Sequence, residues 1–237
     1  MKAYFARSEK LMGRSALERL QKLDVLIVGT GGVGSWCAEA LVRSGVIHLT
    51  LVDSDLVCES NVNRQLMATS LTIGQPKVSA LRDRLLSINP EAVICIRQER
   101  FSEENSDSFH LEEYDYIIDA IDSIPDKAHL IVKSLETDAR LFSAMGAALK
   151  TDPGRIEVAE FWKVKGCPLA KALRTRFKKT GQFPSRKFQC VFSEERLQNQ
   201  PMADESDGDS GNGSCVHITG TFGFRLASLV LNDVIKD

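Results

Sequence analysis

Short apolar runs rich in Val, Ile and Leu alternate along the first 145 residues with stretches whose apolar positions recur every third or fourth residue. Runs without polar alternation fit strands buried on both faces of a parallel sheet, and the periodic stretches fit helices packed on it. The first such run, DVLIVG at residues 24–29, predicts a strand preceded by an amphipathic helix over 8–22, with Leu11, Ala16, Leu17 and Leu20 near helical spacing. A helix over 33–44, a strand over 47–52, a helix over 77–88 and a strand over 93–97 follow. A strand at 116–120, a helix near 126–135 and a strand at 140–144 extend the series. This βαβαβ alternation predicts an α/β fold built on a doubly wound, mostly parallel, Rossmann-like sheet.

Beyond Met145 the rhythm changes, and the parallel pattern is expected to end there. A solitary strand at 155–163, a basic helix at 169–179 and a strand at 187–192 make a mixed C-terminal extension. Residues 203–214 (ADESDGDSGNGS) are poor in hydrophobes and rich in Gly, Ser and Asp, which predicts a mobile loop. A closing helix is expected over 221–235, and the sequence contains no internal repeat. Residues 1–237 therefore read as a single domain: a helical segment over 1–22, a core over 23–150, and an extension with a final helix over 151–237.

With 43% hydrophobic and 26% charged residues, the chain has the balance of a globular protein, which excludes a disordered or fibrous one. Its first ten residues lack the apolar core of a signal peptide, and no stretch approaches the run of about 18 apolar residues of a membrane span. A cytoplasmic location without membrane contact is the expectation. Six cysteines, Cys37, Cys58, Cys95, Cys167, Cys190 and Cys215, lie far apart in or beside apolar runs, as reduced and mostly buried thiols do. None forms a CxxC pair, which argues against a structural zinc. The net charge of −2 conceals an asymmetry: residues 161–193 hold nine Lys or Arg and no Asp or Glu. That segment is either the footprint of a polyanion or a solvated basic helix and loop, and charge alone leaves both readings open. The stripe of Leu169, Leu173 and Phe177 predicts a helix that buries one face and turns Lys171, Arg174 and Lys178 outward.

Chemistry concentrates in four motifs. GTGGVG places Gly29, Gly31, Gly32 and Gly34 after a strand and before a helix, the context in which a glycine turn and a helix N-terminus receive a phosphate. Asp53 ends the second strand, nineteen residues after Gly34, where nucleotide-binding folds place a carboxylate on ribose hydroxyls. To this point NAD and ATP fit equally. Asp55, Asn61, Asn63, Arg64 and Gln65 then crowd DSDLVCESNVNRQ, and Lys77 follows in GQPKV. A hydride-transfer cofactor needs none of these, whereas cations such as Arg64 and Lys77 suit the charge on a triphosphate and a departing pyrophosphate. Their plain alternative is two surface charges. Asp119 and Asp122, in IIDAID at the carboxyl end of a strand, offer oxygen ligands for Mg²⁺, and helix capping is the structural alternative for Asp122.

GTGGVG, LVDSDLVCESNVNRQ, GQPKV and DAIDS, in this order and spacing, resemble the HesA/MoeB/ThiF family of adenylating enzymes, relatives of the ubiquitin-activating enzymes. IDSIPDKAHLI, CPLAKALRTRFKK, FQCVFSEE and TGTFGF are looser matches to a branch that cyclises a threonylcarbamoyl group on a tRNA adenosine through an acyl-adenylate. The resemblance implies ATP and Mg²⁺ as cofactors, with the core over 23–150 as the nucleotide-binding part. It puts Gly29, Gly31, Gly32 and Gly34 on the phosphates, Asp53 on the ribose, and Asn63, Arg64 and Lys77 on the triphosphate, with Asp55 and Gln65 beside them and Asp122 as the Mg²⁺ carboxylate. It implies tRNA contact through residues 163–187. Arg7, six residues ahead of Gly13, matches an arginine that reaches into the partner subunit's site, which implies a catalytic Arg7 and a two-fold homodimer.

Family members that activate sulfur-carrier proteins often keep two CxxC pairs for zinc, and this chain has neither. Adenylation of the C-terminal Gly-Gly of a ubiquitin-like sulfur carrier nevertheless stands as the alternative, since the same nucleotide site would serve it. A NAD-dependent oxidoreductase is the third reading. Cys215 sits roughly where some members carry a cysteine linked to sulfur transfer, so a sulfur-transfer protein partner is a further expectation; a small buried thiol is the structural alternative. His48, His110, His129 and His217 share no spacing suited to a metal or a triad.

Overall fold

The computed structural model describes residues 3–201 and 211–236. Strands form where Val, Ile and Leu run without interruption: β1 (Asp24–Val28), β2 (His48–Val52), β3 (Val93–Arg97), β4 (Tyr116–Asp119) and β5 (Arg140–Ala144). β6 (Ile156–Glu160) and β7 (Gln189–Ser193) complete one seven-stranded sheet in the order β3-β2-β1-β4-β5-β7-β6. Strand order reverses between β1 and β4, which opens a crevice at the carboxyl ends of those strands, where open α/β sheets bind ligands.

Helices cover both faces. α1 (Ala6–Met12), α2 (Arg14–Leu20), α3 (Gly34–Ser44), α4 (Lys77–Ile88), α5 (Ile124–Ser134), α6 (Pro168–Thr180) and α7 (Val216–Lys236) alternate with the strands. One apolar core joins α3, α4 and α7 to the sheet through Leu41, Leu81, Phe222 and Val230; the other joins α5 and α6 through Leu130, Leu173 and Phe177. α7 is the one described helix long and apolar enough, by length and composition, to cross a bilayer, yet nine of its residues are buried within the fold. It lies hard against α3. A Cβ at Gly223 would meet the Val33 carbonyl oxygen at 2.6 Å and the Trp36 Cβ at 2.8 Å, so only a hydrogen fits there.

Several elements differ from the sequence expectation for local reasons. The helix over 8–22 is two helices, because Gly13 takes φ +84° and breaks it; Leu11 is exposed, while Ala16, Leu17 and Leu20 are buried. The parallel pattern does not stop at β5: β7 pairs parallel to β5, and β6 is antiparallel to β7. The strand over 155–163 ends at Glu160, where the Glu160 carboxylate accepts the Trp162 N–H and starts a 3-10 turn over Phe161–Lys163. The final helix begins at Val216, five residues early, since Thr219, Gly220 and Gly223 are selected by contact with the glycine turn and α3 rather than by helix propensity. Of the loop expected over 203–214, residues 203–210 lie outside the described residues, and 211–214 have no regular structure.

Gly223→Leu is expected to lower folding stability by at least ~1–3 kcal/mol, as overpacking of a filled interface does. Asn232→Ala, on the exposed face of the same helix, should stay within ~0.5 kcal/mol of the parent, and chemical denaturation monitored by circular dichroism measures both.

Candidate active site

The β1–α3 turn is folded by two steric exclusions. Gly29 has φ +89°, donates its N–H to the Val52 carbonyl at 2.9 Å, and would place a Cβ 2.6 Å from the Ala120 carbonyl oxygen. A Cβ at Gly34 would stand 1.9 Å from the Gly29 carbonyl oxygen, so the first turn of α3 closes on the strand end only with glycine there. Gly29, Gly31 and Gly32 face a cavity of about 1100 Å³ at the switch point, and Thr219 of α7, which also lines it, stands close beside Gly32. Asp53 pins this turn: its Oδ2 accepts from the Thr30 N–H at 2.8 Å and the Thr30 hydroxyl at 3.1 Å, and its Oδ1 accepts from the Asp55 N–H at 3.0 Å.

Asp53, Asp55, Arg64, Gln65, Lys77 and Asp122 all line the same cavity as the glycine turn. Lys77, at the start of α4, is buried and pairs with the exposed Asp55 at 2.6 Å. Arg64 is held from both ends: Nη1 donates to the Ser60 carbonyl at 2.7 Å and to Asn63 Oδ1 at 2.9 Å, while its own carbonyl accepts from Trp36 Nε1 at 3.1 Å. Gln65 lines the cavity, and its Oε1 is buried without a hydrogen-bond partner, an unmet polar group beside the glycine turn. An unmet polar group and a cradle that tolerates no Cβ fit a bound nucleotide.

Three expected site residues stand elsewhere, the first being Gly34, which is buried in the first turn of α3 and does not line the cavity. Asn63 does not line the cavity; its Nδ2 donates to the Ser214 carbonyl at 2.8 Å, so it ties the chain before α7 to the Arg64 loop. Arg7 is exposed on α1 and contributes nothing to the cavity of its own chain.

The two aspartates of IIDAID separate. Asp119 is fully buried: its Oδ2 takes the Lys127 ammonium at 2.8 Å and the Ser143 hydroxyl at 2.6 Å, and Lys127 also donates to the Ile121 carbonyl at 3.0 Å. This buried pair ties β4, β5 and α5 together and leaves nothing for a ligand. Asp122 is exposed in the cavity, and α5 has no side-chain cap, so the capping alternative fails. Among the described residues no three His, Cys, Asp or Glu side chains gather to hold a metal ion. One carboxylate suits Mg²⁺ when the other ligands are phosphates and water.

The sequence reading missed Arg100, Lys150 and Glu195. Arg100 lines the cavity and pairs with Asp126 at 2.6 Å, a contact that raises its pKa. Lys150 donates to the Ser193 carbonyl at 3.1 Å and the Glu195 carbonyl at 2.5 Å, and burial pushes its pKa down. The Glu195 carboxylate accepts from the Asp152 N–H at 3.0 Å and from the Thr151 N–H at 2.9 Å, and these bonds hold its pKa below the ordinary value. Lys150 and Glu195 together join the chain after β5 to the chain after β7 as one wall of the cavity. Leu149, at φ +58°, sits in that wall with its N–H on the Gly213 carbonyl. No local motif marks Lys150 and Glu195, because their partners lie more than forty positions away.

On α6, Pro168, Leu169 and Ala172 face the cavity while Leu173 and Phe177 are buried. Arg174 does not point outward as expected: its Nη2 donates to the Phe161 carbonyl at 2.5 Å and the Val164 carbonyl at 2.6 Å. Lys171 and Lys178 are exposed. The thiols are not mostly buried either: Cys37, Cys167 and Cys190 are, whereas Cys58, Cys95 on the edge strand β3, and Cys215 are exposed.

The chain matches the ThiF family over residues 5–232. It is 44% identical over 191 residues to the tRNA threonylcarbamoyladenosine dehydratase of Bacillus subtilis, covering 81% of this chain and 74% of that protein. Its fold superposes with a TM-score of 0.88 on the Escherichia coli tRNA N6-threonylcarbamoyladenosine dehydratase in complex with ATP, at 33% identity, covering 98% of this chain and 94% of that one. The E. coli molybdopterin-synthase adenylyltransferase is 33% identical over 150 residues, covering 63% of this chain and 59% of that protein.

The lowered Glu195 pKa fixes the sign of a pH effect. A carboxylate stabilised in the native state adds stability above its unfolded pKa and loses it as pH falls through the native pKa. The stability advantage of the parent over Glu195→Gln is therefore expected at neutral pH and should close in acid; urea unfolding of both proteins across that range measures it.

Proposed function

The chain belongs to the ThiF family, and on that basis we propose that it uses ATP to dehydrate threonylcarbamoyladenosine in tRNA to its cyclic form. The observation that carries this reading is the convergence of Gly31, Gly32, Arg64, Gln65 and Lys77 on one cavity at the sheet's switch point. The greater identity and coverage of the dehydratase relatives favour this substrate over a sulfur-carrier protein.

In the reaction a threonyl carboxylate oxygen attacks the α-phosphorus of ATP, and the bond to the β-phosphate oxygen breaks to release pyrophosphate. The amides of the glycine turn and the N-terminus of α3 hold the phosphates, and Arg64 and Lys77 stabilise charge that builds on the leaving group. Lys77 must then exchange part of its contact with Asp55 for phosphate oxygen. Asp53, already fixed on Thr30, presents its carboxylate to the ribose. Asp122 would hold Mg²⁺, which would neutralise phosphate charge. The carbamoyl nitrogen next closes on the acyl carbonyl and loses its proton, and AMP departs with the former carboxylate oxygen, so the nucleoside loses one water. The nucleophile belongs to the substrate, so proximity supplies much of this second step without an enzyme thiol.

Exposed Lys171 and Lys178 support tRNA contact through residues 163–187, in a cytoplasmic enzyme. In a two-fold dimer, Arg7 serves the partner's cavity, consistent with its distance from its own. The exposed Cys215 is the position at which a sulfur-transfer partner would act.

Incubation with ATP, Mg²⁺ and tRNA bearing the open nucleoside is expected to give a product lighter by one water on nucleoside mass analysis; unchanged nucleoside rejects the reading. Arg64→Ala and Lys77→Ala should each lower kcat/KM by roughly 10²–10³-fold, the size found when a preorganised charge-stabilising donor is removed. Arg7→Ala and Lys77→Ala chains, each strongly impaired alone, should regain activity when mixed, because one site of the mixed dimer has both residues. Absence of such recovery in a mixture shown to exchange subunits removes Arg7 from the mechanism.

A further inference from the structure

Two large aromatic side chains stand exposed in the most basic part of the molecule. Trp162 is 42% exposed and Phe183 50% exposed, with ring centroids 6.5 Å apart and planes inclined by 33°. The indole is held from beneath. Its N-terminal neighbour Phe161 is fully buried, meets the Trp162 ring edge-on at 5.1 Å and stacks on Phe188 at 5.0 Å, while the Trp162 backbone N–H is fixed by the Glu160 carboxylate. Phe183 follows Gly181, whose left-handed conformation at φ +72° ends α6 and turns the chain back toward Trp162.

The surrounding cations divide into two groups. Arg174 and Arg186 are spent on backbone carbonyls, Arg186 on those of Leu135 and Ala139. Lys163, Lys165, Lys178, Lys179 and Lys187 form no side-chain hydrogen bond or ion pair with any described residue. No Asp or Glu lies between residues 161 and 193 to neutralise them. A fixed aromatic face beside free ammonium groups provides the two components that recognise single-stranded nucleic acid: a surface for a base and charge for its phosphates. A purely apolar protein partner would leave the ammonium groups unmatched.

We infer that Trp162 and Phe183 form a stacking platform for an unpaired base of the tRNA, and that this base is a neighbour of the reacting adenosine. The inference rests on the dehydratase reading. Pro168, Leu169 and Ala172 place the start of α6 at the cavity, whereas Phe177, whose ring meets Phe161 at 5.8 Å, marks the level of the platform. Phe177 is eight residues beyond Leu169, ~12 Å along the helix, too far for the base whose side group reacts inside the cavity. α6 thus measures a fixed separation between the reacting nucleotide and the stacked one.

Binding of the modified tRNA, or of its anticodon stem-loop, tests this directly. Trp162→Ala/Phe183→Ala is expected to raise Kd for that RNA roughly 5- to 100-fold, the range for loss of a stacked base, with KM for ATP unchanged and Trp162→Phe close to the parent. The chain has two tryptophans, so fluorescence quenching by the stem-loop should vanish in Trp162→Phe, and a blunt duplex without unpaired bases should quench neither protein. If the double variant does not fold, Phe183→Ala in the loop should still weaken binding several-fold. A parent-like Kd in Trp162→Ala/Phe183→Ala, or parent-like quenching in Trp162→Phe, overturns the platform while leaving the dehydratase reading intact. Failure of the parent protein to convert the nucleoside overturns the dehydratase reading instead, and binding still judges the platform.

Discussion

Everything at the cavity depends on how closely the β1–α3 turn lies against the end of β4. The hydrogen atoms of Gly29 and Gly34 occupy space in which any Cβ would overlap a carbonyl oxygen. That closeness leaves Gly31 and Gly32 as the exposed part of the turn, and it sets where the first amides of α3 point. Asp53 then converts a sterically possible turn into a fixed one by taking three hydrogen bonds from Thr30 and Asp55. The cost of these constraints is met by the two cores beneath, in which Val25, Ile27, Ile117 and Ile118 are fully buried.

Around that fixed point the charged groups fall into structural and reactive classes by burial. Asp119 and Lys127 neutralise one another out of water, where removing either partner would leave an uncompensated charge. Lys77 also has its head near a carboxylate, but Asp55 is exposed and the pair opens onto the cavity, so phosphate can displace part of that contact. Asp122 forms no direct ion pair with a described residue and no cap, and stands exposed near Arg100. Two carboxylates three residues apart thus acquire opposite roles, because one ends a strand inside the sheet and the other begins the crevice.

The sheet as far as β5 and most of the cavity were legible in the sequence. Both are built from contiguous segments: a strand followed by glycines, a strand ending in Asp53, and a helix opening with Lys77. Legibility failed where contacts span the chain. Lys150 and Glu195 close the wall from distant segments, Arg174 turns inward because carbonyls of Phe161 and Val164 lie within its reach, and Asn63 is drawn off by Ser214. The early start of α7 has the same origin, since its first turns are shaped by the groove they enter. Gly13 illustrates a local failure, in which periodicity concealed a single backbone break.

The contact between Thr219 and Gly32 carries a consequence for how the molecule is made. Nearly 190 residues separate the two, so the ligand-facing turn acquires this neighbour only after the last helix has docked on α3. Such distant pairing slows folding, because the intervening chain must be ordered before the contact repays it. During synthesis the emerging N-terminal half presents Trp36 and the bare groove of α3 to its surroundings. The packing of the nucleotide turn is therefore completed only when α7 docks on α3.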